Sequence, residues 1–199
     1  MRDYGLIVIG ASWGGLTALE RILSGLPENL DAAIAVAQHR SPDGGSDGLA
    51  RLLASHSRLP VTDVDDKQPI EPGRVYLAPP DYHLYVEEDG FALSIDEAVL
   101  YSRPSIDVLF ESAADVWHDR LIGVILTGAN EDGALGLARI QRAGGYTVVQ
   151  NPVEAERPEM PRAALRAVEP DITLALGAIA PLLVKLCGTR AVQRGRADR

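Results

Sequence analysis

A chain of 199 residues with 28 acidic and 19 basic side chains carries a formal charge of −9, which fits one ordinary acidic domain with room for a core and argues against a general phosphate-backbone binder. The single cysteine, Cys187, excludes an intrachain disulfide and any multi-cysteine zinc or iron–sulfur site, and it fits a reducing compartment. There is no signal-peptide pattern at the N-terminus, and the longest apolar stretch, Ile172 to Leu186, contains Gly177, Pro181 and Lys185 and falls short of the ~20 residues that span a bilayer.

The segment Tyr4 to Ile9 is short, apolar and rich in Ile and Val, as a buried strand is. Gly10 to Gly15 breaks that run, and Leu16 to Leu23 then places Leu16, Leu19, Ile22 and Leu23 at helical spacing. Ile34 to Ala37 predicts a second strand, ending at Gln38-His39. A glycine-rich loop, Arg40 to Gly48, leads to a helix over Leu49 to Ser55. Leu59 to Val64 and Val75 to Ala78 read as further strands, separated by the turn chemistry of Pro69 to Gly73. Leu84 to Val86 and Phe91 to Ser94, joined by Glu88-Asp89-Gly90, predict a peripheral antiparallel hairpin.

The apolar spacing of Ser105 to Trp117 predicts a helix. Leu121 to Leu126 is a near-continuous apolar run, as in a central parallel strand covered on both faces. A loop at Thr127 to Gly133, a helix at Ala134 to Arg142, a strand at Thr147 to Gln150 and a helix at Pro161 to Val168 follow. The alternation predicts an α/β fold: an open, mostly parallel, three-layer sheet with the hairpin at its periphery. One domain is expected over residues 1–187, with a flexible polar tail at 188–199.

In open α/β sheets, sites form beyond the carboxyl ends of the strands. Three polar features stand at such ends: Ser12, His39 and Asp132. A serine in a glycine-rich turn can expose its hydroxyl, a histidine can take its proton, and a carboxylate can orient the imidazole. Each has a blander reading, as helix cap, strand terminator or turn residue. Glu131 is a rival orienter beside Asp132. His83 follows the rigid Pro79-Pro80-Asp81-Tyr82 segment, which is placed to shape a site. The chain order Ser, His, Asp differs from that of α/β-hydrolases. A dinucleotide fingerprint would need a glycine where Ser12 stands, and the P-loop motif is absent.

These residues lie in blocks that resemble the catalytic domain of chemotaxis protein-glutamate methylesterases. The blocks are GASWGG at Gly10 to Gly15, AQHR at Ala37 to Arg40, PGRVYLAPPDYHLYV at Pro72 to Val86, RPSIDVLFESAA at Arg103 to Ala114 and GVILTGANEDGA at Gly123 to Ala134. AGGYTVVQNP and MPRAAL follow in family order. The resemblance runs from about Tyr4 to Leu183. It implies a parallel α/β sheet and a serine hydrolase that removes methyl esters from glutamyl side chains of chemoreceptor helices, with deamidation of receptor glutamines as a further activity.

The same resemblance assigns Ser12 as nucleophile, His39 as base and then acid, Asp132 as histidine orienter and the Ala129 N–H as oxyanion donor. It implies no metal and no other cofactor. The expected partners are methylated cytoplasmic chemoreceptor helices, and a separate receiver or signalling protein. The expected location is the cytoplasm, with no nucleic acid and no membrane insertion. Trp13 replaces the family's usual threonine, and Ala129-Asn130 replaces methionine-glycine. Trp13 and Asn130 are therefore candidate substrate-site residues, and His83 is a further candidate from its place in the rigid segment. No stretch resembles the family's receiver domain, so a standalone enzyme and a piece of a longer protein both fit. A noncatalytic signalling module on this fold and a small-molecule ester hydrolase are the alternative functions.

Overall fold

The computed structural model describes residues 4–40 and 46–191. Its elements run β1 (Leu6–Ala11), α1 (Gly15–Ser24), β2 (Ala33–Gln38), α2 (Ser46–His56), β3 (Val61–Asp63), β4 (Val75–Leu77), β5 (His83–Glu87) and β6 (Gly90–Ser94). They continue with α3 (Ile106–Trp117), β7 (Leu121–Ile125), α4 (Ala134–Arg142), β8 (Tyr146–Gln150), α5 (Glu159–Ala167), β9 (Ile172–Leu174) and α6 (Leu176–Cys187). Seven strands form one sheet in the order β3-β4-β2-β1-β7-β8-β9, and every pairing in it is parallel. The β5–β6 hairpin is antiparallel and separate.

Alternation along the strands builds a core on each face of the sheet. Ile7 and Ile9 of β1 join Leu19, Ile22 and Leu23 of α1 and Ile179 and Leu183 of α6. Leu6 and Val8 face the other way, toward Ile106, Leu109 and Phe110 of α3, Leu137 of α4, Met160 of α5 and Phe91 of the hairpin. Both central strands, β1 and β7, are buried throughout. The chain leaves β1 toward β2 on one side and returns as β7 on the other. The crevice where the order reverses is where such sheets bind ligands.

Ile172 to Cys187, left unassigned by periodicity, holds β9 and α6. Gly177 and Pro181 obscure the helical pattern there. Both lie on the exposed side of α6, so the carbonyl that Pro181 cannot pair is left facing water. Helix α2 begins at Ser46, inside the expected loop; residues 41–45 of that loop lie outside the described residues. The base of the expected tail is held against the domain. Thr189 bridges Leu30, and Arg190 N–H donates to the Asn29 carbonyl at 2.8 Å. Residues 192–199 lie outside the described residues. Among the described residues, no helix is long and apolar enough to cross a membrane.

Candidate active site

β1 delivers Ser12 to the crevice, and the following turn is shaped by glycine. Gly14 has φ +76°, which favours a residue without Cβ. A Cβ on Gly15 would stand 2.1 Å from Gln38 Oε1, so a larger residue here would displace the Gln38 amide. The turn is tied on both sides. Ser12 N–H donates to the Thr127 carbonyl at 3.0 Å, and Gln38 Nε2 donates to the Ser12 carbonyl at 2.8 Å.

His39 is the residue after β2, and its N–H donates to the Ala11 carbonyl at 3.0 Å. Its Nε2 lies 2.6 Å from Asp132 Oδ2. Asp132 is fully buried and rests on the N-terminus of α3. Oδ1 accepts from Ser105 Oγ at 2.9 Å and from Asp107 N–H at 3.0 Å. Oδ2 accepts from Ile106 N–H at 2.7 Å as well as from His39. The unpaired amides and dipole of a helix start favour an anion there. Burial pushes the carboxyl up, but the hydrogen bonds from His39, Asp107 and Ile106 outweigh it, and the group is held below its ordinary value. A carboxylate at Nε2 fixes the proton on that nitrogen and leaves Nδ1 as the acceptor.

Next to Asp132, the buried carboxyl of Asp107 is pushed up to about 6. Burial is the main cause and the Asp132 charge adds to it; the Gly136 and Gly133 amides oppose. Glu131, the rival orienter, is exposed and lines a separate groove with Leu135 and Arg166. The hydrogen bond to His39 comes from Asp132 alone of the two.

Ser12, His39, Arg40, Tyr101, Ser102, Arg103, Ala129 and Asn130 line one open cleft of about 580 Å³. The Gly128 N–H is spent on the Arg157 carbonyl at 3.1 Å, and the next residue, Ala129, is exposed and lines the cleft. Asn130 adopts no left-handed conformation; its Oδ1 accepts from Asp132 N–H at 3.3 Å. Replacing the usual glycine therefore strains nothing at this position.

Trp13 follows Ser12 but is not among the residues that line the cleft, and it is 59% exposed. Its Nε1 donates to Glu156 Oε1 at 3.0 Å, and the Arg157 guanidinium lies over the ring at 5.2 Å. The β8–α5 loop thus pins the indole, which does not pack into the core. His83 does not fit the expectation of a substrate-site residue. It opens β5, is 1% exposed, and its ring spans the fold: Nδ1 accepts from Ser105 N–H at 3.2 Å and Nε2 donates to the Glu97 carbonyl at 3.0 Å. It buttresses the start of α3 from behind.

Sequence reasoning missed Gln38, Arg40, Ser102 and Arg103. Gln38 and Arg40 flank His39, a signal within reach. Ser102 carries none, because only the tertiary fold brings it to the imidazole. Arg40 is anchored by Asp63 Oδ1 at 2.7 Å and Arg103 Nε by Asp81 Oδ1 at 2.9 Å. Among the described residues, no three His, Cys, Asp or Glu side chains are grouped to hold a metal ion.

A histidine with a buried carboxylate at one nitrogen and a serine-lined cleft at the other can move a proton to and from a serine hydroxyl. The model of the CheB methylesterase family matches residues 7–183. A relative from Leptospira interrogans, provisionally named protein-glutamate methylesterase/protein-glutamine glutaminase, is 46% identical over 194 residues, covering 96% of this chain and 100% of its own. A protein of Symbiobacterium thermophilum with the same two activities in its name is 37% identical, over 92% of this chain and 51% of its own. The crystal structure of the Thermotoga maritima CheB methylesterase catalytic domain superposes with a TM-score of 0.89 at 32% identity, covering 92% of this chain and 99% of that one. The five sequence blocks, the site they build and these matches agree: the chain belongs to the CheB methylesterase family.

Proposed function

We propose that this chain hydrolyses methyl esters of glutamyl side chains on chemoreceptor proteins, and deamidates receptor glutamines at the same site. The observation that carries the reading is the His39–Asp132 pair at 2.6 Å, which leaves the other ring nitrogen on the side of the cleft that Ser12, Ser102 and Ala129 line. The names of the relatives support the two substrates. The cleft is open, as an ester carried on a protein helix requires.

Ser12 Oγ attacks the ester carbonyl carbon and gives its proton to His39 Nδ1. The Ala129 N–H receives the oxyanion. Asp132 supports the imidazolium through Nε2. The intermediate collapses as His39 returns the proton to the departing methoxy oxygen, releasing methanol. Water then attacks the acyl-enzyme, again through Nδ1, and leaves a glutamate and free Ser12. With a glutamine substrate the first product is ammonia. Methylated cytoplasmic receptor helices are the partners, and the cytoplasm is the location that this substrate implies.

The test is methanol release from methylated receptor by the purified chain, paired with intact-mass analysis after a serine-directed phosphonate. Ser12→Ala abolishes both methanol release and the mass increment while keeping its fold. Turnover retained in that variant would remove Ser12 from the mechanism, and receptor binding by the wild type with neither methanol release nor a mass increment would return the chain to the binding-module reading.

A further inference from the structure

The ring nitrogen that must serve as base is already engaged. Nε2 of His39 faces a carboxylate and carries the proton, so Nδ1 accepts. The hydrogen bond it accepts comes from Ser102 Oγ at 3.3 Å, although Ser12 lines the same cleft. Ser102 closes the turn Val99 to Ser102, whose ends exchange backbone hydrogen bonds of 3.1 and 2.8 Å. Leu100 and Tyr101 at its tip have φ of 48° and 63°. Both are left-handed, in a turn that ordinarily takes Asn-Gly. L side chains adopt this conformation at an energetic cost. Burial does not offset it, because Leu100 is 43% exposed and Tyr101 is 102% exposed. The turn is also a thin wall. Tyr101 and Ser102 line the cleft, while Val99 and Leu100 line an apolar groove of about 470 Å³ on its other side, which leaves it room to move.

We propose that Ser102 is a positioning residue that latches the base: its hydroxyl holds His39 Nδ1 in the free enzyme, and the strained turn gives way when substrate fills the cleft, handing that nitrogen to Ser12. The exchange breaks one hydrogen bond, Ser102 Oγ–H to Nδ1, and makes another, Ser12 Oγ–H to Nδ1. No proton is transferred until Ser12 attacks. The latch rests on the reading of Ser12 as nucleophile and His39 as base.

The experiment measures the rate at which a small serine-directed phosphonate labels Ser12 in the full chain, by intact mass and peptide mapping. Ser102→Ala frees the base and labels about two- to tenfold faster than wild type, the worth of one hydrogen bond. Ser102→Thr keeps the hydroxyl and stays near the wild-type rate. Leu100→Asn with Tyr101→Gly relaxes the turn where it stands, deepens the latched state and labels more slowly. A residue with a merely structural role would lower the rate along with the melting temperature. Labelling of Ser12 in Ser102→Ala at or below the wild-type rate overturns the latch alone. Absence of Ser12 labelling in the wild type overturns the catalytic reading and the latch with it.

Discussion

One side-chain amide joins Gln38 to Ser12: Nε2 of Gln38 donates to the Ser12 carbonyl at 2.8 Å, and the same nitrogen donates to the His39 carbonyl at 2.9 Å. The backbones of the serine and the histidine are thereby held to a common donor from the last residue of β2. A misplacement of reacting groups by about 1 Å costs on the order of 10²-fold in rate. Gln38→Leu removes the tie, and kcat is expected to fall roughly 10- to 100-fold with KM little changed. Steady-state methanol release checks it. A variant with unchanged kcat would show that β1 and β2 set the separation without help.

Asp132 holds His39 by geometry, and Glu131 does not. Asp132→Asn puts an amide where four donors now converge, so its NH₂ must face either an N–H or the imidazole. The imidazole then turns its protonated nitrogen toward Ser12 and loses its function as base. The expected loss is on the order of 10⁴-fold in kcat, as in a serine protease given the same change. Glu131→Gln is expected to leave turnover within about twofold, since exposed substitutions away from a site do little. Parallel assays of both variants decide the matter; the reverse pattern would name Glu131 as the orienter.

Ser12, His39 and Asp132 were legible because each follows a strongly apolar strand, and parallel sheets gather such ends in one crevice. The folded site adds what a linear reading could not weigh. His83 looked like a loop residue after two prolines; it instead opens β5 and is buried against α3. Ser102 was invisible because its contact with His39 spans 63 residues, from α2 through the hairpin, with no local pattern to mark it. β9 and α6 were hidden by Gly177 and Pro181, whose cost falls on a solvent face that tolerates it.

Asp107 makes stability depend on pH. Its folded value, about 6, lies above the ordinary 3.8. Between those values the folded chain binds more protons than the unfolded one, so this group withdraws stability as pH rises from about 4 to about 6 and leaves it withdrawn above. The full effect is on the order of 2–3 kcal/mol. Asp107→Asn removes the titration and keeps the backbone N–H that serves Asp132. Thermal unfolding of both proteins from pH 4 to pH 8 should show the variant gaining on wild type through that window. Any constant cost of the new amide cancels in the comparison. A difference that stays flat with pH would place the Asp107 carboxyl at its ordinary value.

Trp13 directly follows Ser12, at a position where the family resemblance leads one to expect a threonine. Its indole is half exposed, yet it is not loose: Glu156 holds Nε1 and Arg157 lies over the ring. A pinned, exposed ring that lies outside the cleft lining but directly follows Ser12 meets a bulky protein substrate more than a small ester that enters alone. Trp13→Thr removes the ring, and Glu156→Ala keeps it but takes away its hydrogen-bond partner. Both are expected to change the ratio of kcat/KM between a methylated receptor and a small aryl ester in the same direction. A pocket contact of this size is worth about 1–3 kcal/mol, or roughly 5- to 150-fold in that ratio. Melting temperatures should move little, because the ring contributes no buried core surface. An unchanged ratio in both variants would remove Trp13 from substrate choice and leave selectivity to the Leu100–Tyr101 turn across the cleft.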